Sequence, residues 1–563
     1  MKEIKLSDST MSIFVAESLN ACIKAATEEY LEPYDQNKHP KYEDVEEELL
    51  NITNSYIDDY NQYIAGKDKA KRIQRLKKLD PSQIADILLT FNHIKRVKCV
   101  DSDNVSTFDI VAVYKEREGI YRYDSDYLHI LCERISYSIT EKELNEVDKK
   151  IYRKAQLTKR TMDPDLIPLN NGIFDFKKKE LLDFSPEYVF TFKSPVNYNP
   201  SASNVVIHND QDGTDWDVET WMNELSDDPE VVNLLWEILS VLLRPYVSWN
   251  KTAWFYSEYG NNGKGTYCVL CRGLVGNENA ASLPLSEFGE RFGTGCIIGK
   301  SCIITDENDV GTYIDRVGKL KSIVTHDTVR LEIKYQNSVD YQFYGFMIQC
   351  LNEFPRVKDR SDSYYRRQLF IPFNKCFTGS ERKYIKDDYL RRPEVLEYVA
   401  NKVLNMDFYV LSEPTACKLA LEDYKTFNDP TRQFLDEMLP ELKWHLVPRD
   451  FLYSLYKSWF RRNNPSGTIL GKNKFYMEVR GLIGSYSDWE WREAPVKRGN
   501  LMDETEYLIA DYDLHEWMND IYTGGDKDKL CKPQLKDEYR GLLRVRHGVN
   551  VDQADEPEDK LAQ

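Results

Sequence analysis

The fold of this chain is decided by residues 252–267, which read Thr252-Ala-Trp-Phe-Tyr-Ser-Glu-Tyr-Gly-Asn-Asn-Gly-Lys264-Gly-Thr-Tyr267. An apolar run rich in β-forming residues leads into a turn of glycine and asparagine, and a helix-compatible run follows. A phosphate-binding loop needs this context, because glycines let backbone N–H groups surround phosphate oxygens and the helix N-terminus adds partial positive charge. A plain turn between a strand and a helix remains the alternative at this point.

The loop departs twice from the usual G-x-x-x-x-G-K-[ST] pattern. Glu258 stands where the first glycine belongs, and Gly265 stands where the Mg²⁺-binding hydroxyl belongs. Lys264 is nevertheless placed to reach the outer phosphates of a nucleotide. The residues expected to bind ATP are Gly260, Asn261, Asn262, Gly263, Lys264, Gly265 and Thr266.

Composition excludes several classes of protein. The chain has 563 residues, of which 41% are hydrophobic and 12% aromatic, so we expect several folded domains rather than disorder. It has no apolar run of about 18 residues and no signal-peptide core, which predicts a cytoplasmic protein without a membrane span. A net charge of −18 argues against coating DNA with the outer surface, but not against a locally positive channel.

The cysteines predict reduced thiols rather than a disulfide framework. Eleven cysteines are present, an odd number. Cys268 and Cys271 form a C-x-x-C without a second pair or a histidine pair. We expect them to pack one face of the helix after the phosphate loop rather than to bind zinc.

The chain divides into regions of different pattern. We predict a multidomain protein with a mainly helical, mixed N-terminal domain over residues 1–200 and a helical collar or linker over 201–250. Apolar β-runs alternate with helices from 251 to 432, which is typical of an α/β core with a mainly parallel sheet. Residues 433–545 form a separate small domain, and residues 546–563 form an acidic tail.

Two further strands of the α/β core end in polar residues that suit ATP hydrolysis. Residues 301–307, Ser-Cys-Ile-Ile-Thr-Asp-Glu, deliver Asp306 for Mg²⁺ and Glu307 to polarise the attacking water. The apolar strand that ends at Asn352 offers an amide to orient that water. Read singly, the first motif could be a solvated acidic turn and the second a plain turn before Pro355.

Two basic segments complete the pattern. Arg366 and Arg367 precede a strand and suit a finger that enters a neighbouring subunit's phosphate site, because guanidinium binds phosphate in a bidentate fork. Lys321 lies between the carboxylates and Asn352, and Lys334 and Tyr335 follow in a predicted hairpin. A lysine beside an aromatic ring suits a loop that grips single-stranded DNA, although a solvated hairpin is the alternative.

In this order the motifs resemble those of superfamily 3 helicases, in the branch of phage and plasmid primase-helicases that is related to the poxvirus-type family. That branch often reads G-x-N-G-K-G-T, so the resemblance implies that Thr266 supplies the hydroxyl for the metal. It assigns Asp306 and Glu307 to the second phosphate-site motif, Asn352 to the sensor and Arg366–Arg367 to the finger pair. His326 departs from a glycine that the family usually has before Asp327.

The resemblance also covers the flanking regions. The segment from Leu166 to Pro200 is similar to the N-terminal domain of these helicases, and residues 447–479 are similar to their C-terminal winged-helix region. It therefore implies a central AAA+-like P-loop ATPase followed by a winged-helix-like DNA-binding domain.

The function implied is that of an ATP hydrolase and DNA helicase of phage or mobile-element replication. The resemblance further implies ATP and Mg²⁺ as cofactors and a homo-hexameric ring that moves 3′→5′ on single-stranded and forked DNA beside other replication proteins in a bacterial host cell. An origin-binding initiator that uses ATP for assembly is the alternative, and a DNA-packaging or defence ATPase is a third. Asp101-Ser-Asp103 lies in a polar turn and does not favour primase activity.

Overall fold

The computed structural model describes residues 2–5, 12–15, 18–65, 71–100, 109–332, 338–379, 381–463 and 469–545. The chain folds into two compact units, Met1–Leu421 and Glu422–Gln563. Among the residues described, no helix has both the length and the apolar character that crossing a bilayer requires. The predicted acidic tail and Asp101-Ser-Asp103 lie outside these residues.

The first part of the larger unit is mixed, with helices around a small sheet. Strand β3 (Ile94–Lys98) is antiparallel to β4 (Asp109–Lys115) and parallel to β6 (Gln156–Thr158), and β4 forms a hairpin with β5 (Ile120–Arg122). Its elements are β1 (Lys2–Lys5), β2 (Ser12–Val15), α1 (Leu19–Leu31), α2 (Tyr42–Ile64), α3 (Pro81–Phe91), β3 (Ile94–Lys98), β4 (Asp109–Lys115), β5 (Ile120–Arg122), α4 (Ser125–Ile135), α5 (Glu141–Lys154) and β6 (Gln156–Thr158).

The next segment leads into the α/β core. Its elements are β7 (Leu166–Leu169), β8 (Gly172–Asp175), β9 (Glu180–Leu182), β10 (Ile207–Asn209), β11 (Thr214–Trp216), α6 (Val218–Glu224) and α7 (Pro229–Leu243). The apolar pattern from 216 to 243 predicts continuous helix, but the structure breaks it after α6. Asp228 caps the new helix by accepting from the N–H of Glu230, and Pro229 occupies its first turn, so the local sequence starts a second helix here.

The core of the larger unit is a five-stranded parallel sheet, with the strands in the order β13-β14-β18-β12-β20. The elements of this segment are β12 (Thr252–Tyr256), α8 (Lys264–Val275), β13 (Ala280–Ala281), β14 (Cys302–Thr305), β15 (Tyr313–Ile314), α9 (Gly318–Val324), β16 (Val329–Leu331), β17 (Val339–Tyr341), β18 (Phe346–Leu351), β19 (Arg356–Val357), α10 (Asp362–Tyr365), β20 (Gln368–Pro372), α11 (Lys383–Asp387), α12 (Pro393–Leu404) and α13 (Thr415–Asn428).

Strand β12 lies inside this sheet, between β18 and β20. Its first four residues and all of β18 are buried, as expected of parallel strands that are covered on both faces. Helix α8 packs on α7, and the hydroxyl of Tyr267 donates to the carbonyl of Leu235. The predicted multidomain, mixed α/β architecture with a parallel sheet is therefore confirmed.

The smaller unit has its own aromatic-rich core, which includes Phe434, Tyr456, Trp459 and Phe475. Its sheet has the order β21-β23-β22, with both pairings antiparallel. Its elements are α14 (Pro430–Met438), β21 (Leu446–Pro448), α15 (Arg449–Asn463), α16 (Lys472–Leu482), β22 (Trp489–Lys497), α17 (Leu508–Asp511), α18 (Lys527–Leu530) and β23 (Glu538–Arg544).

Candidate nucleotide site

The polar residues predicted for ATP hydrolysis follow neighbouring strands of the parallel sheet. Asp306 follows β14, Asn352 follows β18, and the glycine-rich loop follows β12. The register pairs Thr305 with Gln349 and Tyr256 with Leu351, so the three strands finish at the same end of the sheet. We call this the carboxyl end; it is where open α/β sheets bind ligands.

The loop geometry explains why glycine and asparagine occupy it. Gly263 has φ +88° and Asn261 has φ +51°, in the left-handed region that these residue types tolerate best. A Cβ at Gly263 would also lie 2.7 Å from Cδ2 of Leu225, so the position excludes a side chain for steric reasons as well. Gly260 has open space around it, and the structure gives no comparable reason for a glycine there.

Lys264 is buried at the start of α8, with 6% of its surface exposed. Its Nζ donates to Oδ1 of Asn352 at 2.9 Å and lies 3.5 Å from the carbonyl oxygen of Ser257. Burial lowers the pKa of Lys264 below its usual value. Both hydrogen-bond partners are neutral, so the ammonium charge is left for an anionic ligand. The sequence predicted both residues for this site but not their direct contact.

The carboxylates of Asp306 and Glu307 are exposed at the same end of the sheet. Arg272, on α8, places Nη2 2.7 Å from the carbonyl oxygen of Ile304 and 3.3 Å from Oδ2 of Asp306. Sequence reasoning missed Arg272, although its spacing of two helical turns from Lys264 puts both on one side of α8.

The donor set fits Mg²⁺ bound together with a nucleotide. Thr266 borders the cavity described below, and Asp306 offers an exposed carboxylate. Across the described residues no group of three or more His, Cys, Asp and Glu side chains could hold a metal by itself. That is compatible with Mg²⁺, which protein sites bind through one or two carboxylates plus the phosphates of the substrate.

A cavity of about 510 Å³ opens beside the phosphate loop. Residues 377–387 form the wall of the cavity opposite the loop. Asn261 connects the loop to this wall, because its carbonyl accepts from the N–H of Phe377 at 2.7 Å and its amide donates to Glu381. Arg382 forms an ion pair with Glu224 across the cavity. The sequence reading missed this wall, which is contributed by residues 377–387, since its side chains follow no phosphate-binding pattern.

The arginine pair lies at the other end of the sheet, which we call the amino end. Arg367 directly precedes β20, and its carbonyl accepts from the N–H of Thr252 at 2.8 Å. Nη1 of Arg367 donates to the carbonyl of Ser363, and burial followed by the neighbouring charge of Arg366 lowers its pKa. Arg366 is exposed. Strand β12 separates the pair from its own chain's phosphate loop by about 16 Å at 3.3 Å per residue.

The predicted hairpin is present, with β16 antiparallel to β17 and Leu331 opposite Val339, and its contact with DNA stays a prediction. Lys334 and Tyr335 fall in residues 333–337, which lie outside the described residues, so their roles stay predictions. Lys321 is on α9 before the hairpin, and its Nζ lies 2.8 Å from Oδ2 of Asp359.

His326 explains the departure from glycine before Asp327. It has φ +57°, so the backbone has the conformation that glycine favours. The imidazole is buried, its Nδ1 lies 2.9 Å from the carbonyl oxygen of Phe343, and the ring stacks on Tyr344. These contacts hold a strained turn in place at the foot of the hairpin.

Cys268 and Cys271 are both buried against the sheet, which confirms that they pack the inner face of α8. The Sγ of Cys268 lies 3.5 Å from the Sγ of Cys350 on β18. The pair therefore contributes to the contact between the phosphate-loop helix and the strand that ends at Asn352.

Comparison with known protein families gives three matches along the chain. Residues 20–227 match a family described as D5 N terminal like, and residues 427–516 match one described as Poxvirus D5 protein-like. Between them, residues 255–367 match a family of unknown function. The matches thus flank the nucleotide site with D5-type regions on both sides.

Among curated proteins, "Putative helicase 121R" of Invertebrate iridescent virus 3 is 23% identical over 375 residues, which are 56% of this chain. The match spans 37% of that relative's length. Among solved structures, the apo C-terminal region of NrS-1 has a TM-score of 0.41 at 14% identity, over 75% of this chain and 97% of that one. A second apo form of that region has the same TM-score at 15% identity, over 77% and 91% of the two chains.

Proposed function

We propose that this chain, whose flanking regions match D5-type families, is a D5-type primase-helicase that acts as an ATP-dependent DNA helicase of replication. The observation that carries the proposal is the buried Lys264, bonded to Asn352 at the sheet end where Asp306 also emerges. A desolvated lysine with neutral partners in a glycine-rich loop is suited to bind a polyphosphate.

In the proposed site, residues 260–266 hold the phosphates of ATP, and the cavity beside Asn261 and Phe377 takes the nucleoside. Thr266 and Asp306 hold Mg²⁺, which supplies positive charge for the phosphate oxygens when bound. Lys264 neutralises charge on the outer phosphates. Its bond to Asn352 fixes the position of that amide.

For hydrolysis, Glu307 polarises the attacking water and Asn352 orients it. Arg366 or Arg367 acts on the site of a neighbouring subunit in a ring, proposed to be hexameric. The position of the pair at the amino end supports this assignment, because it is far from its own phosphate loop. An AAA+-like, superfamily 3 ring would place one composite site at each subunit interface.

The hairpin β16–β17 is proposed to grip single-stranded DNA through Lys334 and Tyr335 in the ring's pore. Movement 3′→5′ comes from the family resemblance. A net charge of −18 is compatible with this arrangement, because positive charge is needed only along the DNA path.

The smaller unit is proposed to be winged-helix-like and to engage duplex DNA. Its elements α14, β21, α15, α16, β22 and β23 follow the helix–strand–helix–helix–strand–strand order of that fold, with the short helices α17 and α18 inserted between β22 and β23. The exposed side of α16 carries Asn473, Lys474 and Met477, a mixture that can contact phosphates and base edges.

The division of the chain into domains is also a proposal. It comprises an N-terminal domain at 1–200, a collar at 201–250, an ATPase at 251–432, a DNA-binding domain at 433–545 and a tail at 546–563. The proposed setting is the host-cell cytoplasm, with replication proteins of a phage or mobile element as partners.

Strand displacement on forks with a 3′ or a 5′ tail tests this function, comparing the unaltered chain with Lys264→Ala. We expect unwinding of the 3′-tailed fork with ATP and Mg²⁺, and a loss of at least about 100-fold in Lys264→Ala. Lys251→Ala is the matched control, because that lysine lies just before the same strand and pairs with Glu413 at 2.7 Å, away from the loop.

Unwinding that persists in Lys264→Ala would refute the mechanism. Salt-resistant, sequence-specific binding to duplex DNA without fork-dependent ATP turnover would favour the origin-binding initiator instead.

A further inference from the structure

The ion pair between Lys321 and Asp359 joins two elements that the proposed mechanism must coordinate. Lys321 lies on α9, which leads into the hairpin, and Asp359 lies in the segment before α10, which leads into the arginine pair. The Nζ–Oδ2 distance is 2.8 Å, and the two side chains are only 27% and 26% exposed. Partial burial shields the attraction from solvent and salt, unlike that of a fully exposed pair.

On the aspartate side, the ion pair is connected to α10, the short helix that Arg366 and Arg367 follow. Oδ1 of Asp359 accepts from the N–H of Ser361 at 2.9 Å, and Ser361 is the N-cap residue of α10. Burial acts to raise the pKa of Asp359, but the hydrogen bonds from Lys321 and Ser361 outweigh it, so the pKa lies below its usual value. The charged carboxylate thus holds the first turn of α10, and Arg366 and Arg367 follow its last turn.

On the lysine side, the pair is continuous with the foot of the hairpin. The hydroxyl oxygen of Thr325 lies 3.0 Å from the carbonyl oxygen of Lys321 and 2.5 Å from Oδ2 of Asp327, so its one hydrogen is shared between them. His326 between them has the strained left-handed backbone, and β16 begins two residues after Asp327. A shift of α9 would therefore move the foot of the hairpin directly.

We propose that Lys321 is a positioning residue rather than a DNA contact: with Asp359 it forms a strut that transmits movement between the arginine pair and the DNA hairpin. The strut would let a hairpin that engages DNA change the placement of Arg366 and Arg367 in the neighbouring ATP site. This inference rests on the proposed function and deepens it by naming the regulation of that site.

The two roles considered for Lys321, DNA contact and strut, predict different effects of removing Asp359. A lysine that binds DNA phosphate is weakened by a nearby carboxylate, so removing Asp359 would leave DNA affinity equal or greater. A strut needs both ends, so removing either residue produces the same defect. The chain offers a matched control in Lys358 and Asp315, which are also 2.8 Å apart but 67% and 49% exposed.

The test measures ATP turnover of the full chain with and without a tailed fork, together with fork affinity over a salt series. For both Lys321→Ala and Asp359→Ala we expect the stimulation by DNA to fall at least about fivefold, the lower end of typical coupling between sites. DNA affinity and its salt dependence should stay the same. Asp359→Asn, which keeps an oxygen to accept from the N–H of Ser361 but loses the charge that pairs with Lys321, should show the same defect, and Lys358→Ala should behave like the unaltered chain.

The strut is refuted if Lys321→Ala weakens DNA binding and reduces the salt slope by about 1 while Asp359→Ala does not, because that is the signature of a phosphate contact. It is also refuted if Asp359→Asn is stimulated by DNA like the unaltered chain although Asp359→Ala is defective, because the hydrogen bond to Ser361 and not the ion pair would then account for the defect. If the unaltered chain has no ATPase activity, the proposed function itself is wrong. If DNA stimulates the ATPase of the unaltered chain but the two single variants differ from each other, only the strut is wrong.

Discussion

The two ends of the parallel sheet hold positive charge in opposite ways. At the carboxyl end Lys264 is buried, bonded to the amide of Asn352 and enclosed by a loop with two left-handed residues. At the amino end Arg366 is exposed, and Arg367 is bonded to the carbonyl of Ser363 in the preceding helix α10. One end is organised to receive an anion within the chain, and the other presents the cation of Arg366 outward.

This difference indicates what each end needs for function. A buried ammonium with neutral partners has already lost most of its hydration, so a polyphosphate can bind it without much further rearrangement. An exposed guanidinium is fully hydrated and gains strength only where a second surface excludes water. We therefore propose that the carboxyl end binds nucleotide within one chain, whereas the amino end acts against another subunit.

The largest effect is expected from the arginine pair. Arg366→Ala and Arg367→Ala should leave ATP affinity unchanged, and the one that supplies the finger should lower turnover by about 1,000-fold or more. Steady-state hydrolysis together with nucleotide binding separates the two quantities. A parallel loss of ATP affinity would contradict the comparison, because it would place that arginine in its own chain's site.

Mixing two kinds of variant subunit tests whether the arginine acts between subunits. Subunits with Lys264→Ala and subunits with the defective arginine variant should regain part of the turnover at interfaces that join an intact loop to an intact arginine. If mixtures stay as inactive as either variant, the arginine does not act between subunits.

A smaller effect is expected from Asn352 at the carboxyl end. Asn352→Ala should lower turnover by about 100-fold with modest change in ATP affinity, since the amide orients water rather than binding phosphate. Asn352→Asp should instead weaken ATP binding, because it puts a negative charge beside the Nζ of Lys264. Equal behaviour of the two variants in nucleotide titrations would show that the Lys264–Asn352 contact does not tune the site.

The smallest effect concerns pH at the amino end. Burial lowers the pKa of His326, so below about pH 6.5 the unfolded chain takes up a proton that the folded chain does not, and stability falls. The contribution is roughly 1 kcal/mol per pH unit between the unfolded and folded pKa values. Denaturant unfolding of the unaltered chain and of His326→Asn, whose side chain tolerates the left-handed backbone, should show a shallower acid dependence in the variant.

Sequence reasoning found the residues that follow regular strands, because a buried parallel strand is a continuous apolar run and its polar ending stands out. Asp306, Asn352 and the Lys264 loop were found this way, and the sheet register brings their strand ends together. The hairpin β16–β17 was predicted from alternation in the same manner.

Contacts between distant segments could not be predicted, since they depend on tertiary packing. The cavity wall around Phe377 contacts the loop through Asn261, which lies more than a hundred positions earlier in the sequence. No local sequence pattern predicts this contact. Lys321 was predicted to bind DNA from its place in the order of motifs, but its half-buried partner Asp359 became visible only in the fold. The break between α6 and α7 was missed, although Asp228-Pro229 is a local start signal.

The position of Arg367 beside Thr252 has a consequence for assembly. If the loop at one end of β12 is completed by arginines from the other end of a second copy, each contact joins two different surfaces. Unless two copies exchange both contacts at once about a two-fold axis, the contacts are head-to-tail, and they generate either a ring or an open helical filament. An open row always leaves one loop without arginines and one arginine pair without a loop, so ring closure adds one working site and makes every subunit equivalent.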